Sequence, residues 1–414
     1  MLLAYNILAT ILFILAFPCL LVMLLVRRYR LEERLGLGAK ERFAPLKEKR
    51  PIWIHAASVG EISAIAPLVS VVKARRPELS VVVSTTTVTG LERARQLLKR
   101  VDLFTILPFD LLFILLSVLR QARPKALLLA ELELWPNLIW AAKALGCRVA
   151  IVNGRLSKRS FSRYRLINRF VVAALEKVDL FCLQSEADRD RFLQLGIVPE
   201  KTAVTGSLKF DVSPVGRVEL PVMANRRVVV AGSTREGEEK VLMKAFARLR
   251  QDFDHLLLVL APRHLSRVPE VEALASEFGF AVVRKSRLEP GDGDVDILIL
   301  DTMGELSSVY ACAQVAFVGG SLVPVGGHNP LEPAALGVPV VFGPYMEQRG
   351  AAALLEKGAA FQVEGLDQLT ETIGQLLEDP SKREVAGSQA KKVIQQRKGA
   401  ASATFELLTK NGII

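Results

Sequence analysis

The chain has 414 residues, half of them hydrophobic, a mean hydropathy of +0.30 and a formal net charge of +11. This is length enough for two domains of ordinary size, with an apolar content high for a soluble protein. Four cysteines (19, 147, 182 and 312) and four histidines stand scattered without metal-ligand spacing, so they read as free, mostly buried thiols in a reducing compartment, and neither a protein-held metal nor a cofactor is expected.

The excess apolar character begins at once. Leu2–Val26 holds no charged side chain and is long enough to cross a bilayer as a helix. Arg27, Arg28 and Arg30 follow, which by the positive-inside rule leaves the remainder cytoplasmic. Neither a basic start nor a small-residue cleavage site marks a signal peptide, and a buried helix is the other reading. The expectation is an anchor over residues 1–30 in a cytoplasmic membrane. Through Val215 the chain carries 32 Lys and Arg against 18 Asp and Glu, while the remainder has 22 against 25. A basic first half behind an anchor points to anionic lipid headgroups or an anionic lipid substrate. No zinc pattern, RNA-binding signature or interleaving of aromatic and basic residues supports a nucleic acid.

From residue 31 apolar runs alternate with helix-period segments. Strands are expected at Ile52–Ala56, Ser80–Ser84, Leu103–Leu107, Ala126–Leu129, Arg148–Val152, Leu180–Leu183 and Thr202–Val204. A linker with Pro214, Gly216 and Pro221 precedes a second series at Val228–Ala231, Leu256–Leu260, Phe280–Val283, Ile297–Leu300, Val315–Val318 and Val338–Phe342. Leu369–Leu377 and Arg383–Leu408 read as helices. Such alternation gives an α/β fold of two doubly wound, Rossmann-like parallel sheets. The assignment is residues 31–212 for the first domain, 213–225 for the linker and 226–414 for the second, with the last helix able to pack back on the first. In such sheets ligands bind beyond the carboxyl ends of strands, so two domains facing across a cleft place the chemistry in their strand-end loops.

The first strand runs into Ser58-Val59-Gly60-Glu61. A carboxylate there can accept a proton from an attacking hydroxyl, or simply favour the start of a helix. The fourth strand runs into Glu131-Leu132-Glu133-Leu134-Trp135-Pro136-Asn137. Acids directly after an apolar strand are costly unless paired or functional, and Lys209 or Arg155 is the expected partner. In the second half, Gly232-Ser233-Thr234 forms a turn able to receive a phosphate, although the spacing is not that of a P-loop. Pro262-Arg263-His264 puts a cation at a strand end, and Asp301-Thr302-Met303-Gly304-Glu305 opens another helix. The densest stretch is Phe317–Gly343. There Gly326 and Gly327 allow close backbone approach, and His328-Asn329-Pro330-Leu331-Glu332 starts a helix whose free N–H groups favour an anion. These loops converge on a nucleotide-type ligand. Neither a serine-nucleophile elbow nor a dinucleotide fingerprint is present.

With these motifs in order, the chain resembles the bacterial 3-deoxy-D-manno-octulosonic acid (Kdo) transferases. The residues that carry the resemblance are SVGE (58–61), ELWPN (133–137), GSLKFD (206–211), GSTREGEE (232–239), APRH (261–264), DTMGEL (301–306) and GGHNPLEPAA (326–335). The resemblance implies a GT-B glycosyltransferase that moves Kdo from CMP-Kdo to a tetra-acylated lipid A precursor, an acylated glucosamine disaccharide, with inversion, at the bacterial inner membrane. It further implies Glu61 as general base and Glu131 with Lys209 as transition-state support. CMP contacts would come from Pro262, Arg263, Met303, Gly304, Glu305, Asn329, Pro330, Leu331 and Glu332, with Gly232, Ser233, Thr234, Gly326, Gly327 and His328 near the phosphate or donor sugar. Two departures stand out: Leu132 replaces an expected threonine, and Tyr345–Arg349 lacks an aromatic-asparagine pattern. A transferase using a UDP-sugar on another lipid, a UDP-sugar epimerase and a membrane-tethered non-catalytic protein are the alternatives.

Overall fold

The structure, a computed structural model, describes residues 2–27, 30–132, 134–212, 216–218, 220–289 and 294–414, with the backbone alone for 2–4, 8, 9, 20, 23–27 and 168. It divides into two compact units. The first comprises Met1–Asp211 with Lys398–Ile414, and the second Val212–Arg397. The expected linker residues Ser213, Pro214, Val215 and Glu219, like Glu133 and Arg28, lie outside the described set.

In the first unit, seven parallel strands are β1 (Ile52–His55), β2 (Val81–Thr85), β3 (Leu103–Ile106), β4 (Ala126–Ala130), β5 (Arg148–Gly154), β6 (Leu180–Leu183) and β7 (Thr202–Val204). Their order is β3-β2-β1-β4-β5-β6-β7. Both faces are covered, which is why these strands read as unbroken apolar runs instead of alternating ones. Trp53, Leu127 and Leu129 pack into one core, while Ile52, Ile54 and Leu128 pack into the other. The second core also takes Phe405 and Leu408 from the last helix, Ala400–Lys410.

The second unit repeats the plan with β8 (Arg227–Thr234), β9 (Leu256–Pro262), β10 (Val282–Arg284), β11 (Ile297–Ile299), β12 (Val315–Val318), β13 (Val340–Phe342) and β14 (Ala360–Gln362). Their order is β10-β11-β9-β8-β12-β13-β14. Only three residues long, β14 carries too little apolar pattern to be seen in sequence. The helix expected over Arg383–Leu408 is two helices, Pro380–Arg397 and Ala400–Lys410, broken where Gly399 takes a φ of 109°. The sheets reverse winding between β1 and β4 and between β8 and β12, the places where crevices form beyond strand ends.

The expected transmembrane anchor is not what the structure shows: among the described residues no helix is long and apolar enough to cross a membrane. Leu2–Arg27 is helical, but it docks on the first unit. The Tyr5 ring lies 5.0 Å from that of Phe170, and Phe13 meets Phe109 at 5.2 Å between ring centroids.

Candidate active site

Glu61 sits at the β1 side of the first switch point, in the first turn of the helix Val59–Arg75. Ser58 is the N-cap and accepts the Glu61 amide at 3.3 Å. The carboxylate reaches back, with Oε1 accepting the Ser58 hydroxyl at 2.8 Å and Oε2 accepting the Ala57 amide at 2.9 Å. This reciprocal arrangement belongs to the capping-box type, and it fixes both oxygens of the one carboxylate at the end of β1. The helix-start and chemical readings of this residue thus describe the same geometry. Behind it, the Thr86 hydroxyl donates to the Ala57 carbonyl at 2.8 Å and steadies the loop.

Glu131 leaves β4 on the other side of the switch point with φ of 54°, a left-handed conformation for a residue with a side chain. Its carboxylate pairs with Lys209 at 3.2 Å, and the side chains are 22% and 28% exposed. A pair this exposed contributes about 0–1 kcal/mol, whereas the left-handed backbone costs about 1–2 kcal/mol. Stability alone does not account for an acid placed there. Strain of this sort gathers at functional sites. Lys209, not Arg155, is the partner; Lys209 is placed by Asn153, whose Oδ1 accepts the Leu208 amide at 3.0 Å. Asn153 was invisible as a site residue, although an Asn-Gly pair ending an apolar strand is the kind of signal that marks its positive φ of 54°.

In the second unit the expected loops also gather at a switch point. After β8, the carboxylate of Glu238 accepts four backbone amides, from Arg235 (2.8 Å), Gly320 (2.7 Å), Ser321 (2.9 Å) and Leu322 (2.9 Å). The glycine loop after β12 therefore holds an internal anion. The turn expected to take a phosphate faces inward as well: the Thr234 hydroxyl donates to Glu239 at 2.8 Å, and a methyl group on Gly232 would overlap the Tyr310 hydroxyl. Ser233 has a φ of 58°. Gly232 and Thr234 thus serve the packing of the turn, and Glu238 is the residue that sequence reasoning passed over.

Cations line the adjoining strand ends. Arg235 lies between two histidines, with Nη1 at 2.8 Å from Nε2 of His264 and Nε donating to Nε2 of His328 at 3.4 Å. Burial, and then the charges of Arg263 and Arg235 with His264, pull His328 down to about 4, so it is neutral at pH 7 and accepts. Arg263 follows Pro262, its amide bonded to the Thr234 carbonyl at 3.0 Å.

The helix Leu331–Leu336 opens with Asn329 Oδ1 accepting the Leu331 amide at 3.1 Å, and Pro330 at its N-cap. Asn329 also donates to Glu332 Oε1 at 3.2 Å, and Ser307 donates to Glu332 Oε2 at 2.9 Å. That bond ties the stretch to the 301–307 segment. There Met303 is 54% exposed, Gly304 has φ of 89°, and Lys285, bonded to Glu305 at 2.6 Å, holds the Glu305 carboxyl below its ordinary range. Gly326 and Gly327 take φ values of 92° and 70°. They touch the departing loop directly, since the Glu347 amide donates to the Gly326 carbonyl at 3.1 Å and Gln348 to that of Gly327 at 3.1 Å. Among the described residues no group of three or more His, Cys, Asp or Glu could hold a metal ion. The thiols of Cys147 and Cys182 are buried and pushed up to about 12 by burial, which leaves them inert.

Two parallel sheets, each carrying its polar loops at a winding reversal, define a two-domain Rossmann-like protein of the GT-B type. The same fold appears in a solved UDP-N-acetylglucosamine 2-epimerase, which is 16% identical with a TM-score of 0.62 and covers 88% of this chain and 96% of that one. The chain belongs to the 3-deoxy-D-manno-octulosonic acid transferase family and is a glycosyltransferase. Residues 29–212 match the family model described as 3-deoxy-D-manno-octulosonic-acid transferase (kdotransferase). The 3-deoxy-D-manno-octulosonic acid transferase of Haemophilus influenzae is 33% identical over 391 residues, covering 92% of this chain and 91% of that one. A bifunctional glycosyltransferase/methyltransferase of Fusobacterium nucleatum is 35% identical over 345 residues; the match covers 80% of this chain but spans only 53% of that relative.

Proposed function

We propose that this chain transfers Kdo from CMP-Kdo to the tetra-acylated lipid A precursor, with acceptor chemistry on the first unit and donor binding on the second. Glu61 removes the proton from the acceptor hydroxyl as its oxygen attacks the anomeric carbon. The bond from that carbon to the CMP phosphate oxygen breaks, configuration inverts, and CMP leaves with the electron pair. Glu131 and Lys209 support the charge that develops. Asn329, Glu332 and the 303–305 segment receive the nucleotide, and Arg263 with Arg235 faces its phosphate. Electrostatic groups of this kind do the work that other transferases give to a metal. The observation that carries the reading is the fixed carboxylate of Glu61 at the same switch point as the strained Glu131 and its lysine.

The setting is the cytoplasmic face of the bacterial inner membrane. The N-terminal helix exposes Ile11, Leu12, Ile14 and Leu15, and the basic first half suits an anionic lipid surface. Calorimetric titration tests the donor: CMP binds and UDP does not displace it. Tighter binding of UDP would overturn the donor assignment.

A further inference from the structure

The helix Pro136–Ala144 starts beside the turn that carries Glu131; its N-cap residue, Trp135, makes no side-chain capping bond, and Pro136 follows. The cap comes from a distant loop. Oδ1 of Asp110 accepts the Leu138 amide at 2.9 Å, and Oδ2 accepts the Asn137 amide at 3.2 Å. Buried Asn137 returns the contact by donating its side-chain amide to the Asp110 carbonyl at 2.7 Å. A third donor to the carboxylate is the Tyr5 hydroxyl of the N-terminal helix, at 2.9 Å.

The N-terminal segment grips the same loop a second time. Glu33 Oε2 accepts the Ile106 amide and the Thr105 hydroxyl, each at 2.8 Å, and the Phe109 amide donates to the Arg34 carbonyl at 2.9 Å. Residues 105–110 are therefore held from one side by the N-terminal segment, and they hold the Glu131 turn from the other. That turn is pinned at its near end by the Glu131 amide on the Val152 carbonyl at 2.9 Å. Its far end is pinned by Asp110. With Glu131 in a left-handed conformation, releasing one end lets its carboxylate relax away from Lys209.

We propose that Asp110 is a positioning residue for the Glu131 turn, and that Tyr5 is the contact through which the N-terminal helix acts on it. The helix is then a working part of the acceptor side, and where it seats sets the turnover rate. This rests on the reading that Glu131 and Lys209 belong to the reacting centre.

The test uses the full chain in detergent with CMP-Kdo and the lipid acceptor, comparing Tyr5→Phe, Asp110→Asn, the double variant and Glu131→Gln. Tyr5→Phe and Asp110→Asn are each expected to lower kcat roughly 10-fold, within the range that a small misplacement of a catalytic group produces, while Glu131→Gln abolishes turnover. Donor KM, CMP affinity and the thermal midpoint of Tyr5→Phe stay unchanged. The double variant matches Asp110→Asn alone, because Tyr5 works through Asp110. Should Asp110→Asn fail to fold, Tyr5→Phe, which removes one oxygen, decides by itself. Full kcat in Tyr5→Phe alongside an inactive Glu131→Gln overturns the inference and leaves the site reading standing. Multiplying losses in the double variant, or a fall in CMP affinity, overturn it too. Full turnover in Glu131→Gln overturns the reading and the inference together.

Discussion

At the scale of single residues, carboxylates at both switch points are fixed by backbone donors. Glu238 is satisfied by four amides and Glu61 by an amide and a hydroxyl. Such donors hold a carboxylate in one orientation without the lost side-chain freedom of a long cationic partner. His55, fully buried at the end of β1, sits at 2.9 Å from the Ser84 hydroxyl through Nδ1, while its Nε2 meets no hydrogen-bond partner among the described residues. Burial pulls it down to about 4. Its folded value thus lies below the unfolded value of about 6.5. Between these two the unfolded state binds more protons, so stability is flat above about pH 6.5 and lost as pH falls toward about 4. The urea midpoint should therefore drop across that window, and drop less in His55→Asn. An equal drop in both proteins would contradict this assignment.

At the scale of elements, two helices that begin without a local side-chain cap borrow one from elsewhere in the chain. Asp110 caps Pro136–Ala144, and Asp211 caps Ala400–Lys410, its two oxygens each accepting an amide, of Gly399 and Ala401, at 2.5 Å. Losing an N-cap of this kind costs about 1–2 kcal/mol. Asp211→Ala should lower the unfolding free energy by about that much while CMP affinity is kept; an unchanged denaturant midpoint would refute the clamp. These caps mark the limit of what sequence can show. Strands covered on both faces, such as Ala126–Ala130 and Leu256–Pro262, announce themselves as apolar runs, and Ser58 announces the helix that holds Glu61. A cap supplied from 27 residues away, as Asp110 is to Asn137, leaves no local trace. Nor does anything near Gly232-Ser233-Thr234 reveal that Glu238 fills the anion nest of the neighbouring loop. That Glu131 needs a cationic partner is legible, because an acid after an apolar strand is costly unpaired, but the residues leave Lys209 and Arg155 both open and the fold selects Lys209. The left-handed backbone of Glu131 is not legible, since no glycine or asparagine stands there.

At the scale of the whole molecule, the two units carry separate cores and separate halves of the proposed chemistry. The chain leaves the first unit at Asp211 and returns to it at Lys398, so one carboxylate ties the outgoing segment to the returning helix. Changes at Glu61 or Glu131 should then leave nucleotide binding untouched, while changes at Asn329 or Glu332 should weaken it. The most direct test is a mass-spectrometric count of Kdo added to the tetra-acylated lipid A precursor from CMP-Kdo, for the natural chain and for Glu61→Gln at equal, saturating CMP-Kdo. Kdo should appear on the acceptor with the natural chain, and Glu61→Gln should lose about 10²–10⁴-fold in rate without loss of CMP affinity. Near-normal transfer by Glu61→Gln would contradict it.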